Sequence, residues 1–136
     1  MKDLVIVDED YKKYQIKPSS KLTVILLFSE WDDNSKNELK IVNEVYNEYL
    51  DLIDVYCIAN INDEKEIENT KKLFNGNNYD LNLYFDLKKV IKENYNIIAV
   101  PTIIILDKTL NTVDKVVGDI DKEELIQRID KYLNKH

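Results

Sequence analysis

The sequence is poor in the residues on which most covalent catalysis depends. Its 136 residues include one cysteine, Cys57, and one histidine, His136, which is the last residue. A single cysteine excludes an internal disulfide. Without an internal histidine, no Cys-His or Ser-His-Asp arrangement is expected. The two glycines, Gly76 and Gly118, do not form a glycine-rich phosphate loop.

Positive charge and long apolar runs are also scarce. The chain carries 26 acidic and 19 basic residues, for a formal net charge of -7, and Arg128 is its only arginine. An acidic surface repels phosphates, so we expect no nucleic acid partner. No stretch approaches the ~20 apolar residues of a membrane span, so we expect no membrane insertion. Acids interrupt residues 1–10, which lack a signal-peptide core. The compartment is therefore unknown: cytoplasmic as the chain stands, extracytoplasmic if a leader has been removed.

What the chain does contain is an alternation of strand-like and helix-like segments. Residues 22–28 form a nearly continuous apolar run, which is typical of a strand covered on both faces. Further strands are predicted at residues 55–61, 81–85, 102–106 and 113–117, and helices at residues 37–50, 64–74, 87–95 and 122–134. Asp86 is predicted to cap the third helix, and Asp121 with Glu124 to form a capping box at the fourth. The composition fits one domain, residues 1–136, whose first 20 residues are an extension that adds an edge strand.

A polar segment joins the first apolar strand to the first helix, and it reads Trp31-Asp32-Asp33-Asn34-Ser35-Lys36. In frame, it resembles the Trp-Cys-x-x-Cys-Lys/Arg site of thioredoxin-like proteins. Val100-Pro101-Thr102 resembles the cis-proline tripeptide of that superfamily, and Val116-Val117-Gly118 precedes a capped terminal helix as it does there. The extra segment 64–85 is closest to the TlpA-like branch of thiol-disulfide oxidoreductases, which are secreted or membrane-anchored. The resemblance covers residues 20–136 and implies a three-layer α/β/α sandwich with a central mixed sheet.

The chain departs from that pattern at its reactive positions. Asp32 stands where the resemblance places the nucleophilic cysteine, and Ser35 where it places the resolving cysteine. Dithiol exchange needs a thiolate and a second thiol, so the site is predicted to be redox-inactive with no catalytic residue. Members of the family often carry a buried acid on the inner strand, whereas residues 24–27 here are all apolar. We therefore expect the proton carrier to be absent as well.

Asp32 has two interpretations. It is the expected N-cap of the following helix, and its permanent negative charge also stands where a thiolate would be in the reduced enzyme. Glu30, Asp32 and Asp33 are interpreted as a solvated acidic rim, and no metal ion or cofactor is expected. Cys57 lies in an apolar strand, so we predict a buried, unreactive thiol.

The resemblance also implies a binding role, because the backbone beside the cis-proline of this family pairs with an extended peptide of the partner. The predicted binding residues are Trp31, Asp32, Asp33, Ser35, Val100, Pro101 and Thr102. Trp31 is either exposed for a partner or packed flat on its own domain. Two alternatives stay open. One is an enzyme with an atypical site, using the groove for non-thiol chemistry or acting through Cys57, and the other is a structural domain of a larger assembly.

Overall fold

The computed structural model describes residues 3–134, and it contains one mixed sheet with helices around it. The strands are β1 (Val5–Val7), β2 (Lys13–Gln15), β3 (Leu22–Phe28), β4 (Ile53–Ala59), β5 (Leu83–Phe85), β6 (Thr102–Leu106) and β7 (Thr112–Val117). The helices are α1 (Asp33–Glu48), α2 (Glu64–Asn77), α3 (Val90–Asn94) and α4 (Lys122–Leu133). No helix within residues 3–134 has the length and hydropathy to cross a bilayer.

The sheet has the order β2-β1-β5-β4-β3-β6-β7. The three central strands β3, β4 and β5 run parallel, because helices connect them. The last two strands are antiparallel, with β6 paired to β3 and β7 to β6. The β1–β2 hairpin lies at the opposite edge. This arrangement confirms the predicted thioredoxin-like α/β fold with a mixed sheet.

Two apolar clusters cover the two faces of the sheet. On one face, alternate residues of β3 such as Leu26 pack with residues of α1, α2 and α4. On the other face, Ile25 and Leu27 pack with α3 and with the N-terminal residues Leu4 and Ile6. Every residue of β3 is buried. The nearly continuous apolar run of β3 was therefore a reliable signal for the middle of the sheet.

The structure corrects several predicted elements. The strand β2 was not predicted, since its three residues are all exposed and show no buried alternation. Helix α3 begins at Val90 rather than residue 87, because Lys89 takes a left-handed conformation with φ 58° at its N-cap. Asp86 still accepts backbone hydrogen bonds from Ile91 and Lys92, at 3.1 and 3.0 Å. The remaining boundaries shift by a few residues, as in α1, which begins at Asp33 rather than residue 37.

The complete capping box occurs at a different helix from the one predicted. Asp121 caps α4 by accepting from the Glu124 N–H at 2.8 Å, without the reciprocal side-chain bond. At α2, Asp63 accepts from the Glu66 N–H while the Glu66 carboxylate accepts from the Asp63 N–H. The reciprocal bonds hold the loop after β4 in place, which is significant because this loop borders the candidate site.

Candidate functional site

The turn from β3 into α1 forms one wall of the candidate site. Asp32 is the N-cap of α1 and its Oδ2 accepts from the Ser35 N–H at 2.9 Å, which confirms the predicted cap. Ser35 is fully buried, and its hydroxyl oxygen accepts from the Ser29 N–H at 3.2 Å. The two positions of the resembled thiol pair therefore hold a helix cap and a hydroxyl that secures the end of β3.

The loop before β6 forms the opposite wall. The Val100–Pro101 peptide bond is cis, which is the isomer that the sequence analysis expects. Thr102 is buried, and its hydroxyl donates to the Ala99 carbonyl at 2.7 Å, while the Pro101 carbonyl accepts from the Gly118 N–H at 2.8 Å. Among residues 3–134, no group bonds the backbone N–H or C=O of Val100. This loop therefore has an unpaired stretch of backbone next to a tightly bonded one.

A cavity of about 290 Å³ lies between the two walls. Of the predicted binding residues, Trp31, Asp32 and Val100 line it, whereas Ser35 and Thr102 are buried behind it. The other two predicted residues, Asp33 and Pro101, do not line the cavity either, and Asp33 has a 99% exposed side chain. The structure thus brings three of the seven predicted residues to a common surface and makes Ser35 and Thr102 part of its support.

Of the two arrangements predicted for Trp31, the structure shows the exposed one. The residue is 57% exposed, and its indole N–H donates to Glu66 Oε1 at 3.0 Å. The other oxygen of Glu66 accepts from the N–H groups of Asn62 and Asp63, so the carboxylate is itself held in place. Ile98, on the facing loop, is 88% exposed. Two large apolar side chains therefore flank the mouth of the cavity with their faces open to solvent.

Sequence analysis missed three polar residues that line the cavity, namely Ser29, Asn60 and Lys92. The Ser29 hydroxyl is buried and has no hydrogen-bond partner among the described residues. Asn60 Oδ1 accepts from the Lys89 ammonium at 2.8 Å, which orients the side chain. Burial, followed by the nearby charge of Lys92, lowers the pKa of Lys89. No local pattern marked these residues, because they come from three separate parts of the chain, two loops and helix α3, and meet only in the folded chain.

A buried acid lies on α1, one turn after Ser35. Residues 24–27 of β3 are apolar, and Glu38 on α1 is fully buried with its Oε1 accepting from the Ile120 N–H at 3.0 Å. Its Oε2 is buried without a partner in the described chain. Burial raises the pKa of Glu38 to about 7, and the charges of Asp119 and Asp121 add to the effect. A glutamate within the buried stripe of α1 was the available sequence signal.

Cys57 is buried in the centre of the sheet, as predicted. It is 0% exposed and pairs in register with Leu26 of β3. Burial raises the pKa of its thiol, so the nucleophilic thiolate is disfavoured. Within residues 3–134 no three or more His, Cys, Asp or Glu side chains are grouped to hold a metal ion. His136 lies outside the described residues.

A family model described as thioredoxin-like matches residues 20–112. The chain belongs to the thioredoxin-like family. A search of curated protein sequences finds no match. The family membership confirms the resemblance on which the sequence analysis relied, and it accounts for the position of the cavity between the β3–α1 turn and the cis-proline loop.

Solved structures similar to this thioredoxin-like chain include proteins of the thiol-disulfide oxidoreductase group. The exposed lipoprotein thioredoxin Etrx1 of Streptococcus pneumoniae has a TM-score of 0.82 at 20% identity, covering 96% of this chain and 99% of that one. StoA of Bacillus subtilis has a TM-score of 0.78 at 18% identity, covering 90% and 92%. A secreted disulfide oxidoreductase of Mycobacterium tuberculosis has a TM-score of 0.80 at 14% identity, covering 95% and 96%. At these identities, the likeness establishes the fold.

Proposed function

We propose that this chain is a redox-inactive thioredoxin-like module that binds an extended segment of a partner protein. The proposal rests above all on one observation. The cavity between the β3–α1 turn and the cis-proline loop is open, while the two positions of the thiol pair hold the capping carboxylate of Asp32 and the bonded hydroxyl of Ser35. The binding surface is thus retained without its reactive groups.

The number and the burial of the thiols support the redox-inactive part of the proposal. Exchange through a mixed disulfide needs an accessible thiolate and a second thiol to resolve it. The chain has only Cys57, which is fully buried and whose pKa is raised by that burial. A reductase that acts through Cys57 would have to open the centre of the sheet in each cycle.

Three features support an extended peptide as the ligand. The N–H and C=O of Val100, which no described residue bonds, provide one donor and one acceptor for a strand-like partner. Trp31 and Ile98, at opposite sides of the cavity, offer apolar surface for its side chains. The net charge of -7 favours a protein partner over nucleic acid.

A pull-down from the native source with the intact chain tests the binding role. We expect one set of partners to be retained by the wild type and lost with Trp31→Ala or Ile98→Ala. Leu52→Ala is the matched control, because Leu52 is also an exposed aliphatic residue, at 53%, and does not line the cavity. Retention of the same partners by all three variants would refute binding at this cavity.

An insulin-reduction assay with dithiothreitol tests the redox-inactive part. We expect the wild-type chain and Cys57→Ser to give the same rate, equal to that of dithiothreitol alone. A wild-type rate above the Cys57→Ser rate would show that Cys57 acts as a redox group and would refute this part of the proposal.

The likeness to an exposed lipoprotein and to a secreted oxidoreductase favours an extracytoplasmic location for this module. Fractionation of the source cells with an antibody against the chain tests this, and recovery in the cytosolic fraction would contradict it.

A further inference from the structure

The cavity has a negatively charged side chain on one side and a positively charged side chain on the other. Asp32 uses Oδ2 for its cap, whereas its Oδ1 accepts no hydrogen bond from the described residues. Across the cavity, the ammonium of Lys92 makes no hydrogen bond and no ion pair among residues 3–134. The cavity therefore offers one free anionic acceptor and one free cationic donor, which are not paired with each other.

Two further polar residues line the cavity, and one of them, Asn60, presents an available group. The Lys89 ammonium occupies Asn60 Oδ1, so the amide N–H₂ of Asn60 is the end left to meet a ligand. Ser29 also lines the cavity, but its hydroxyl oxygen is buried without a partner in the described chain and lies behind the cavity surface.

From these contacts we infer that the cavity selects an extended peptide that inserts an asparagine or glutamine side chain between Asp32 and Lys92. This inference rests on the proposed peptide-binding function. The amide N–H₂ of the inserted side chain donates to Asp32 Oδ1. Its carbonyl oxygen accepts from the Lys92 ammonium or the Asn60 amide. The cavity of about 290 Å³, roughly the liquid volume of ten water molecules, has room for such a side chain.

Other side chains leave part of this arrangement unsatisfied. A carboxylate would bond Lys92 but would lie near the charge of Asp32, and a lysine or arginine would bond Asp32 but would lie near Lys92. A leucine would fill the space while leaving the free ends of Asp32 and Lys92 without partners. A neutral amide is the side chain that supplies both a donor and an acceptor.

Binding of short blocked peptide pools tests the inference. Each pool carries one fixed central residue (Gln, Asn, Glu, Lys or Leu) between randomised flanks without cysteine, and it is displayed on beads and probed with the intact, fluorescently labelled chain. We expect the Gln or Asn pool to retain at least about tenfold more protein than the Glu, Lys and Leu pools.

Variants of Asp32 and Lys92 then test the roles of the two charges separately. Asp32→Asn keeps a capping residue and should raise retention on the Glu pool selectively, and Lys92→Met should raise retention on the Lys pool selectively. Asp51→Asn and Lys65→Met are the matched controls, because Asp51 and Lys65 do not line the cavity. These two variants should leave retention on the Glu pool and on the Lys pool unchanged. Equal retention on all pools, or variants without selective effects, would overturn the inference while peptide binding stands. Retention on no pool would refute the proposed function itself, and the inference with it.

Discussion

Replacing Glu38 by glutamine should stabilise this protein at alkaline pH and have little effect at acidic pH. The folded state holds the carboxyl fully buried, with Oε1 bonded to the Ile120 N–H and Oε2 without a partner. Its pKa rises from 4.5 to about 7, chiefly because of burial. In the folded state the group therefore keeps its proton over a range in which the unfolded chain has lost it.

The sign and size of the effect follow from linkage. Between about pH 4.5 and pH 7 the folded state binds more protons at Glu38, so the free energy of unfolding falls as the pH rises through this range. The difference corresponds to roughly 3 kcal/mol, since each pH unit between the two pKa values is worth about 1.4 kcal/mol. Well above pH 7 Glu38 is ionised in both the folded and the unfolded state, so the free energy of unfolding falls no further on its account. Glutamine keeps the acceptor for Ile120 and cannot ionise, so the variant should recover most of this loss.

Urea unfolding of wild type, Glu38→Gln and Glu44→Gln at several pH values from about 4.5 to 8 measures this difference. Glu44 lies on the same helix and is exposed, so its variant controls for the removal of one negative charge. We expect Glu38→Gln to unfold at higher urea than wild type at pH 8 and at a similar concentration near pH 4.5. Parallel stability curves for wild type and Glu38→Gln would refute the raised pKa and the argument built on it.

Three further predictions concern Asp32 alone, Cys57, and Asp32 together with Ser35. Asp32→Asn should cost little stability because asparagine caps as well as aspartate, whereas Asp32→Ala should cost about 1 kcal/mol, and thermal melts would compare the two. The Cys57 thiol should resist labelling by a thiol reagent in the folded chain and react at once in denaturant; rapid labelling of the folded protein would contradict its burial. The double variant Asp32→Cys with Ser35→Cys should form a disulfide under mild oxidation, as mass spectrometry with alkylation would show, because the two positions lie within one helical turn. Failure to form it would count against the register assigned to residues 31–36.

The elements that sequence analysis located best are those whose burial is uniform. Strands β3 and β6 were predicted with their observed bounds, because every residue of each is buried and all but Thr23 in β3 and Thr102 in β6 are apolar. The exposed strand β2 left no such signal, since edge pairing depends on backbone bonds rather than on side-chain pattern. Helix α3 started late because a left-handed Lys89 is a tertiary outcome, held by bonds from its ammonium to the loop after β4.

Some features of the candidate site could likewise be predicted from local sequence, and others could not. The cap at Asp32 depends on local geometry alone, so it was predictable from residues 31–36. The pairing of Trp31 with Glu66 joins residues 35 positions apart, and no local pattern specifies it. The same holds for Ser29, Asn60 and Lys92, whose polar ends converge on one cavity although each lies in an ordinary sequence context. Their positions around one cavity depend on how the loops after β3 and β4 pack near helix α3.

The β1–β2 hairpin has a consequence for the order in which the fold opens. Its ladder to the rest of the sheet contains one residue pair, Val7 with Phe85, so the buried side chains of Leu4, Ile6 and Ile16 are its main attachment. Such a unit detaches at a lower free energy than the central strands, and its amides should exchange with solvent first. When it detaches, the edge of β5 becomes available to another chain. The hairpin therefore covers that edge, and its release would expose a template for strand-to-strand association with another chain.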